Sequence, residues 1–168
     1  MQCGLLPCEE NLGARFLTVR AEDLEFSSVY VPCKKHPKMA WLQQLREHIE
    51  RCDSGSRRSV LAGEFNVVLD SPHYTKAEKK ALNRLLNLGF SDLYDRYRCC
   101  HKETGPGYNF GPSSKKPLTS KLQLILGTKA IVKQLCNVKV DKEYRRQVPG
   151  LDNPKWPLSA PVVVDLAQ

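Results

Sequence analysis

Apolar and polar positions alternate along Arg15-Phe16-Leu17-Thr18-Val19-Arg20, the period of a strand with one buried face. Ala21-Glu22-Asp23-Leu24 reads as a turn, and Glu25-Phe26-Ser27-Ser28-Val29-Tyr30-Val31 as a second strand stopped by Pro32. The two together predict a hairpin. From Pro37 to Cys52 the period lengthens: Met39, Leu42, Leu45, Ile49 and Cys52 recur every three or four residues and make one apolar stripe of a helix. Lys38, Gln43, Arg46, Glu47 and Glu50 fall on its other face, and Asp53-Ser54-Gly55-Ser56 ends it. The run Ser59-Val60-Leu61-Ala62 then reads as a buried strand that arrives at Gly63-Glu64-Phe65-Asn66. Alternation along an extended chain puts Glu64 and Asn66 on one face, at the strand edge where α/β sheets place their chemistry.

A second helix has a clear start. Thr75 at the N-cap and Glu78 three residues later form a capping box, Ala81, Leu82, Leu85 and Leu86 supply a buried face, and Gly89 suits the residue after the C-cap. Phe90 to Tyr97 reads as a short, partly helical stretch, and Gly105 to Pro117 as loop. A buried strand at Leu122–Leu126, a short helix near Thr128–Gln134, a strand around Cys136–Val140 and a last strand over Pro161–Leu166 complete the pattern. Residues 1–12 carry no such pattern and read as an irregular lead-in to one domain spanning 1–168. Strands and helices in alternation imply an α/β or α+β sandwich.

Composition narrows the function classes. With 26% charged and 41% hydrophobic residues over 168 positions, the chain has the makings of a globular core. No apolar run approaches the roughly 20 residues that span a bilayer, and the first ten residues lack the pattern of a secretory signal. The net charge of +8 favours a polyanionic partner, RNA or DNA among them. Lys115, Lys116, Arg145 and Arg146 are the candidate nucleic-acid contacts. Seven cysteines without any Cys-x-x-Cys, and four histidines without ligand spacing, give no metal site. Free thiols in a reducing intracellular compartment are expected, with a mitochondrial location left open and no targeting segment visible.

The order of the landmarks resembles the C-terminal part of the exonuclease III / apurinic endonuclease branch of the endonuclease–exonuclease–phosphatase superfamily. Gly13-Ala14-Arg15-Phe16-Leu17 is similar to that family's Gly-Arg-led strand, and Val29-Tyr30-Val31-Pro32 to its Tyr-x-Pro strand end. Gly63-Glu64-Phe65-Asn66-Val67 resembles Gly-Asp-x-Asn, Tyr74-Thr75-Lys76-Ala77-Glu78-Lys79 the Phe-x-Pro-Glu-Glu-Arg helix start, and Leu88-Gly89-Phe90-Ser91-Asp92 the Gly-Phe-x-Asp that ends it. Tyr108-Asn109-Phe110 is similar to Tyr-Thr-Phe, Lys121-Leu122-Gln123-Leu124-Ile125-Leu126 to Arg-Leu-Asp-Tyr-x-Leu, and Trp156-Pro157-Leu158-Ser159-Ala160-Pro161-Val162 to the closing Ser-Asp-His-x-Pro. The resemblance implies a four-layer αββα sandwich of which the N-terminal half is missing.

It also implies metal-assisted phosphodiester hydrolysis, against which this sequence departs at several positions. Tyr30 and Asn66 match. The water-activating Asp is Glu64, whose extra methylene displaces the charge by roughly an ångström, a shift that costs on the order of a hundredfold in rate. The Asp that orients an imidazole is Gln123, and the Asp-His pair is Leu158-Ser159. These departures lead to the expectation that the six positions are vestigial and that the chain is not an enzyme. It would then be an inactive nuclease-fold subunit, structural in a larger assembly such as an organellar ribosome, without metal or cofactor. A protein partner chain is expected over the missing half, since an open sheet face in water is avoided. The alternative is a residual Mg²⁺-dependent DNA or RNA phosphodiesterase of the DNA-repair type, completed by a partner chain. A partial reading frame of a longer protein is a third option.

Overall fold

The computed structural model describes residues 3–5, 12–52, 57–101, 110–111, 121–140, 158–159 and 162–167. The expected hairpin is β2 (Phe16–Ala21) and β3 (Leu24–Tyr30), antiparallel and in unbroken register from Phe16 opposite Val29 to Ala21 opposite Leu24. Glu22 takes the positive φ of 55° at the turn. Helix α1 (Lys35–Cys52) carries the chain across to β4 (Arg58–Glu64), which lies parallel to β3. Helix α2 (Lys76–Leu86) and strand β5 (Phe90–Asp92) follow, then helix α3 (Leu93–His101). Past the short β6 (Phe110–Gly111), strand β7 (Gln123–Thr128) inserts between β4 and β5, antiparallel to both.

With β1 (Cys3–Leu5) against β2, the main sheet runs β1-β2-β3-β4-β7-β5. Helix α4 (Lys129–Lys133) and strands β8 (Leu135–Val140), β9 (Leu158–Ser159) and β10 (Val162–Leu166) complete the described elements. β8 pairs with β10, and β6 with β9. Two expectations change here. The lead-in 1–12 contributes a strand, β1, and the stretch from Phe90 divides into a three-residue strand and a helix. Strands this short carry too few residues for an alternating signal, and only pairing to β2 or β7 defines them.

Alternation sorts the main sheet into two faces. Phe16, Val29, Leu61, Leu124 and Leu126 pack against Leu42, Leu45 and Ile49 of α1 and Leu82 and Leu85 of α2 in one buried cluster. On the other face Val60, with Ala62 and Ile125, meets Leu93, Ile131 and Val138, over which β10 lays Val162, Val164 and Leu166. Among the described residues that cover reaches only the β4–β7 side. Across β2 and β3 the same face leaves Leu17, Phe26 and Tyr30 exposed at 48%, 46% and 43%. At the centre Gly63 has φ 149°, and a β-carbon there would lie 1.9 Å from the Val29 carbonyl oxygen. Only glycine lets β3 and β4 close at this point.

Candidate active site

Tyr30, Glu64 and Gln123 stand side by side. Tyr30 of β3 is the register partner of Glu64 of β4, and Glu64 is the register partner of Gln123 of β7. Register partners on adjacent strands point to the same face and sit about 4.8 Å apart, so the three make one row across the sheet. It lies at the end of the sheet where β4 gives way to loop, on the face left partly open. Each row residue is the first or last of its strand, which leaves its side chain accessible while the sheet fixes its backbone.

Further groups surround the row. The Arg15 guanidinium lies over the Tyr30 ring, 5.1 Å from its centroid, and the Tyr30 hydroxyl shares a 3.7 Å hydrogen bond with the Cys33 thiol. That bond and the nearby Cys33 sulfur, then the Glu64 carboxylate, hold the phenol above its ordinary pKa. Arg15, Tyr30, Pro32, Cys33, Lys34 and Trp41 line a cleft of about 520 Å³ beside the row, and among the described residues no carboxylate borders it. Tyr74 approaches from the loop before α2. Its phenol is raised mainly by burial and further by the charges of Glu78, Cys33 and Glu64.

Asn66 departs from the sequence expectation. Strand pairing ends at Glu64, so the alternation that placed Glu64 and Asn66 on one face stops there. Asn66 adopts the left-handed φ of 51°, is 6% exposed, and turns its amide inward to donate to the Val31 carbonyl at 2.7 Å. Lys38, expected on the polar face of α1, is 2% exposed. Its ammonium donates to the Asn66 carbonyl at 2.8 Å and to Glu78 Oε1 at 2.9 Å, and lies 5.0 Å from the Tyr74 ring centroid. Burial by itself would raise the Glu78 carboxyl. The hydrogen bonds from Lys38 and Thr75 and the Lys38 charge outweigh it and bring it down to about 2.

Leu158 and Ser159 form β9, opposite Gly111 and Phe110. Lys115, Lys116, Arg145 and Arg146 lie outside the described residues. Tyr74, Arg15, Cys33 and Lys38 were not singled out as site residues in the sequence. For Tyr74 and Lys38 the one usable signal was the capping box, which fixes where α2 begins and hence what meets α1.

The described row offers a divalent metal only the smallest donor set such an ion uses. Glu64 is its single carboxylate, and among the described residues no group of three or more His, Cys, Asp and Glu could hold a metal ion. Mg²⁺ is held through one or two carboxylates together with substrate phosphates and water, and Tyr30 and Gln123 add only neutral groups.

No family model and no curated protein sequence matches the chain. Solved structures do. A 3′ phosphatase from Neisseria bound to a product DNA hairpin matches with TM-score 0.71 and 23% identity, covering 92% of this chain and 65% of that one. A 3′–5′ exonuclease from Neisseria meningitidis matches at 0.70 and 22%, with the same coverage. An AP endonuclease from Archaeoglobus fulgidus matches at 0.69 and 20%, covering 90% and 65%. The chain thus spans about two thirds of the length of each, at 65%. These likenesses overturn the expectation that the chain is not an enzyme. Across 92% of its length it shares its fold with proteins named for phosphatase and exonuclease activity, and nothing in them supports a structural subunit of a ribosome-like particle. The row at the strand ends sits in the mixed α/β fold of the exonuclease / AP endonuclease group, and that is the fold of this chain.

Proposed function

We propose that the chain is a phosphodiesterase acting on DNA or RNA, with the Tyr30–Glu64–Gln123 row as its reacting centre. The observation that carries this reading is the unbroken register that sets a carboxylate between a phenol and a carboxamide at three adjacent strand ends. Glu64 is the base: its carboxylate takes a proton from water as the water attacks phosphorus, the ester P–O bond opposite breaks, and the departing sugar oxygen takes a proton from solvent; the base is worth about 10²–10⁴ in rate. The Tyr30 phenol, kept protonated, donates to a phosphate oxygen as charge builds there, and Gln123 offers its amide from the other side. A donor so placed contributes about 10²–10³. The cleft holding Arg15 and Lys34 receives the flanking nucleotides through their phosphates.

Under this reading the open half of the sheet belongs to the working protein. Leu17 and Phe26, both nearly half exposed, are covered by a protein partner chain that adds a further layer and carboxylates for a divalent metal. The test is cleavage of an abasic-site duplex and of a plain oligonucleotide, with Mg²⁺ and with the co-purifying partner. Cleavage that Glu64→Ala abolishes supports the reading. Absence of cleavage in every combination ends it.

A further inference from the structure

We propose that Lys38 is a positioning residue for Glu64 and Tyr30, acting through a chain of hydrogen bonds that locks the strand ends carrying them; the proposal rests on the phosphodiesterase reading for its kinetic consequence. Four bonds lie one or two residues beyond the row. The Val31 amide donates to the Glu64 carbonyl at 2.8 Å, and the Phe65 amide to the Leu122 carbonyl at 2.9 Å. The Asn66 side chain donates to the Val31 carbonyl at 2.7 Å, and Lys38 Nζ to the Asn66 carbonyl at 2.8 Å. Each joins a different pair of segments: β3 to β4, β4 to β7, the loop after β4 back to β3, and α1 to that loop. Lys38 is where this network meets the helices.

The ammonium has three donors and three places to put them: Asn66, Glu78 and the face of Tyr74. Glu78 is pinned in turn. Its Oε2 accepts from the Thr75 amide at 2.9 Å and the Thr75 hydroxyl at 2.8 Å, and its own amide donates to Thr75 Oγ1 at 3.3 Å. The capping box of α2 thereby aims the carboxylate that aims Lys38.

A purely cohesive role accounts poorly for this arrangement. Removing two charges from water is costly, and replacing a buried ion pair with apolar side chains is often neutral or stabilising. An apolar pair between α1 and α2 would hold the helices together equally well, but it could not grip a carbonyl. The carbonyl it grips belongs to Asn66 at φ 51°, a left-handed turn that asparagine tolerates and that the bonds to Lys38 and Val31 hold in one orientation. Release of Asn66 from Lys38 frees its amide from Val31, and the Glu64 and Tyr30 side chains lose their fixed spacing.

The test uses the double substitution Lys38→Met with Glu78→Leu, which removes both charges and keeps the helix contact apolar, alongside Lys38→Met alone. Two readouts are taken on folded protein: the titration of the Tyr30 phenol by NMR with labelled tyrosine, and the split between kcat and KM on an oligonucleotide. In the double variant the Tyr30 midpoint drifts down toward an ordinary phenol, as the loosened strand ends lengthen its contacts with Cys33 and then Glu64, and kcat falls at least tenfold with KM within twofold. An unmoved Tyr30 midpoint in a folded double variant overturns the proposal. Where wild-type protein cleaves nothing, the phosphodiesterase reading falls and the Tyr30 titration alone decides whether Lys38 positions the row.

Discussion

Glu64 derives its place from the residues on either side of it. Gly63 admits β4 against β3 because any β-carbon there would overlap the Val29 carbonyl, and Asn66 turns the chain away two residues later. Gly63→Ala is therefore expected to destabilise the fold by more than the roughly 1 kcal/mol typical of single substitutions, through backbone displacement at the centre of the sheet. Chemical denaturation of the two proteins measures it, and an unchanged midpoint would show that β3 and β4 have slack. Tyr30, Glu64 and Gln123 could be singled out in the sequence because they fall on the Tyr-x-Pro, Gly-Asp-x-Asn and Arg-Leu-Asp landmarks that the chain resembles. The roles of Lys38 and Asn66 were not readable. A lysine in a helix reads as solvated, and an asparagine two residues past a glutamate reads as sharing its face. The left-handed turn at Asn66 breaks the second inference, and the carboxylate of Glu78, forty residues away, breaks the first.

Among the elements, α1 and α2 carry the clearest acid-sensitive contact. Glu78 falls from an ordinary 4.5 to about 2 in the folded chain. Its contribution is fully present above about pH 4.5 and is lost as pH drops through the folded value, an amount of roughly 3 kcal/mol. Asp92 works in the opposite sense. Burial raises its carboxyl despite the Lys121 ammonium 2.7 Å away, so its protonation on acidification favours the folded state. Comparison with Glu78→Gln isolates the first effect: wild-type stability is expected to fall more steeply than the variant's between about pH 5 and pH 2. Parallel curves would mean that Glu78 is not held by Lys38 and Thr75. The capping box that creates this contact was legible in Thr75 and Glu78, as were the hairpin and α1. The strands β1, β5, β6 and β9, two or three residues each, were not. Their partners, not their own composition, make them strands.

On the scale of the whole molecule, one face of the main sheet is finished and the other is half covered. Leu17 and Phe26 are each nearly half exposed there, and the phosphodiesterase reading assigns that surface to a protein partner. The chain is expected to bind an apolar dye at this face, and Phe26→Lys to reduce the binding. A monodisperse protein that binds no dye would leave the face without need of a cover. The +8 charge adds affinity for nucleic acid that weakens with salt, but it cannot place a reaction. The row does that. Its most direct test is single-turnover hydrolysis of a labelled oligonucleotide by wild-type protein and by Glu64→Gln, with and without Mg²⁺. The account predicts a rate about 10²–10⁴ lower in the variant with oligonucleotide affinity unchanged; equal rates in the two proteins would contradict it.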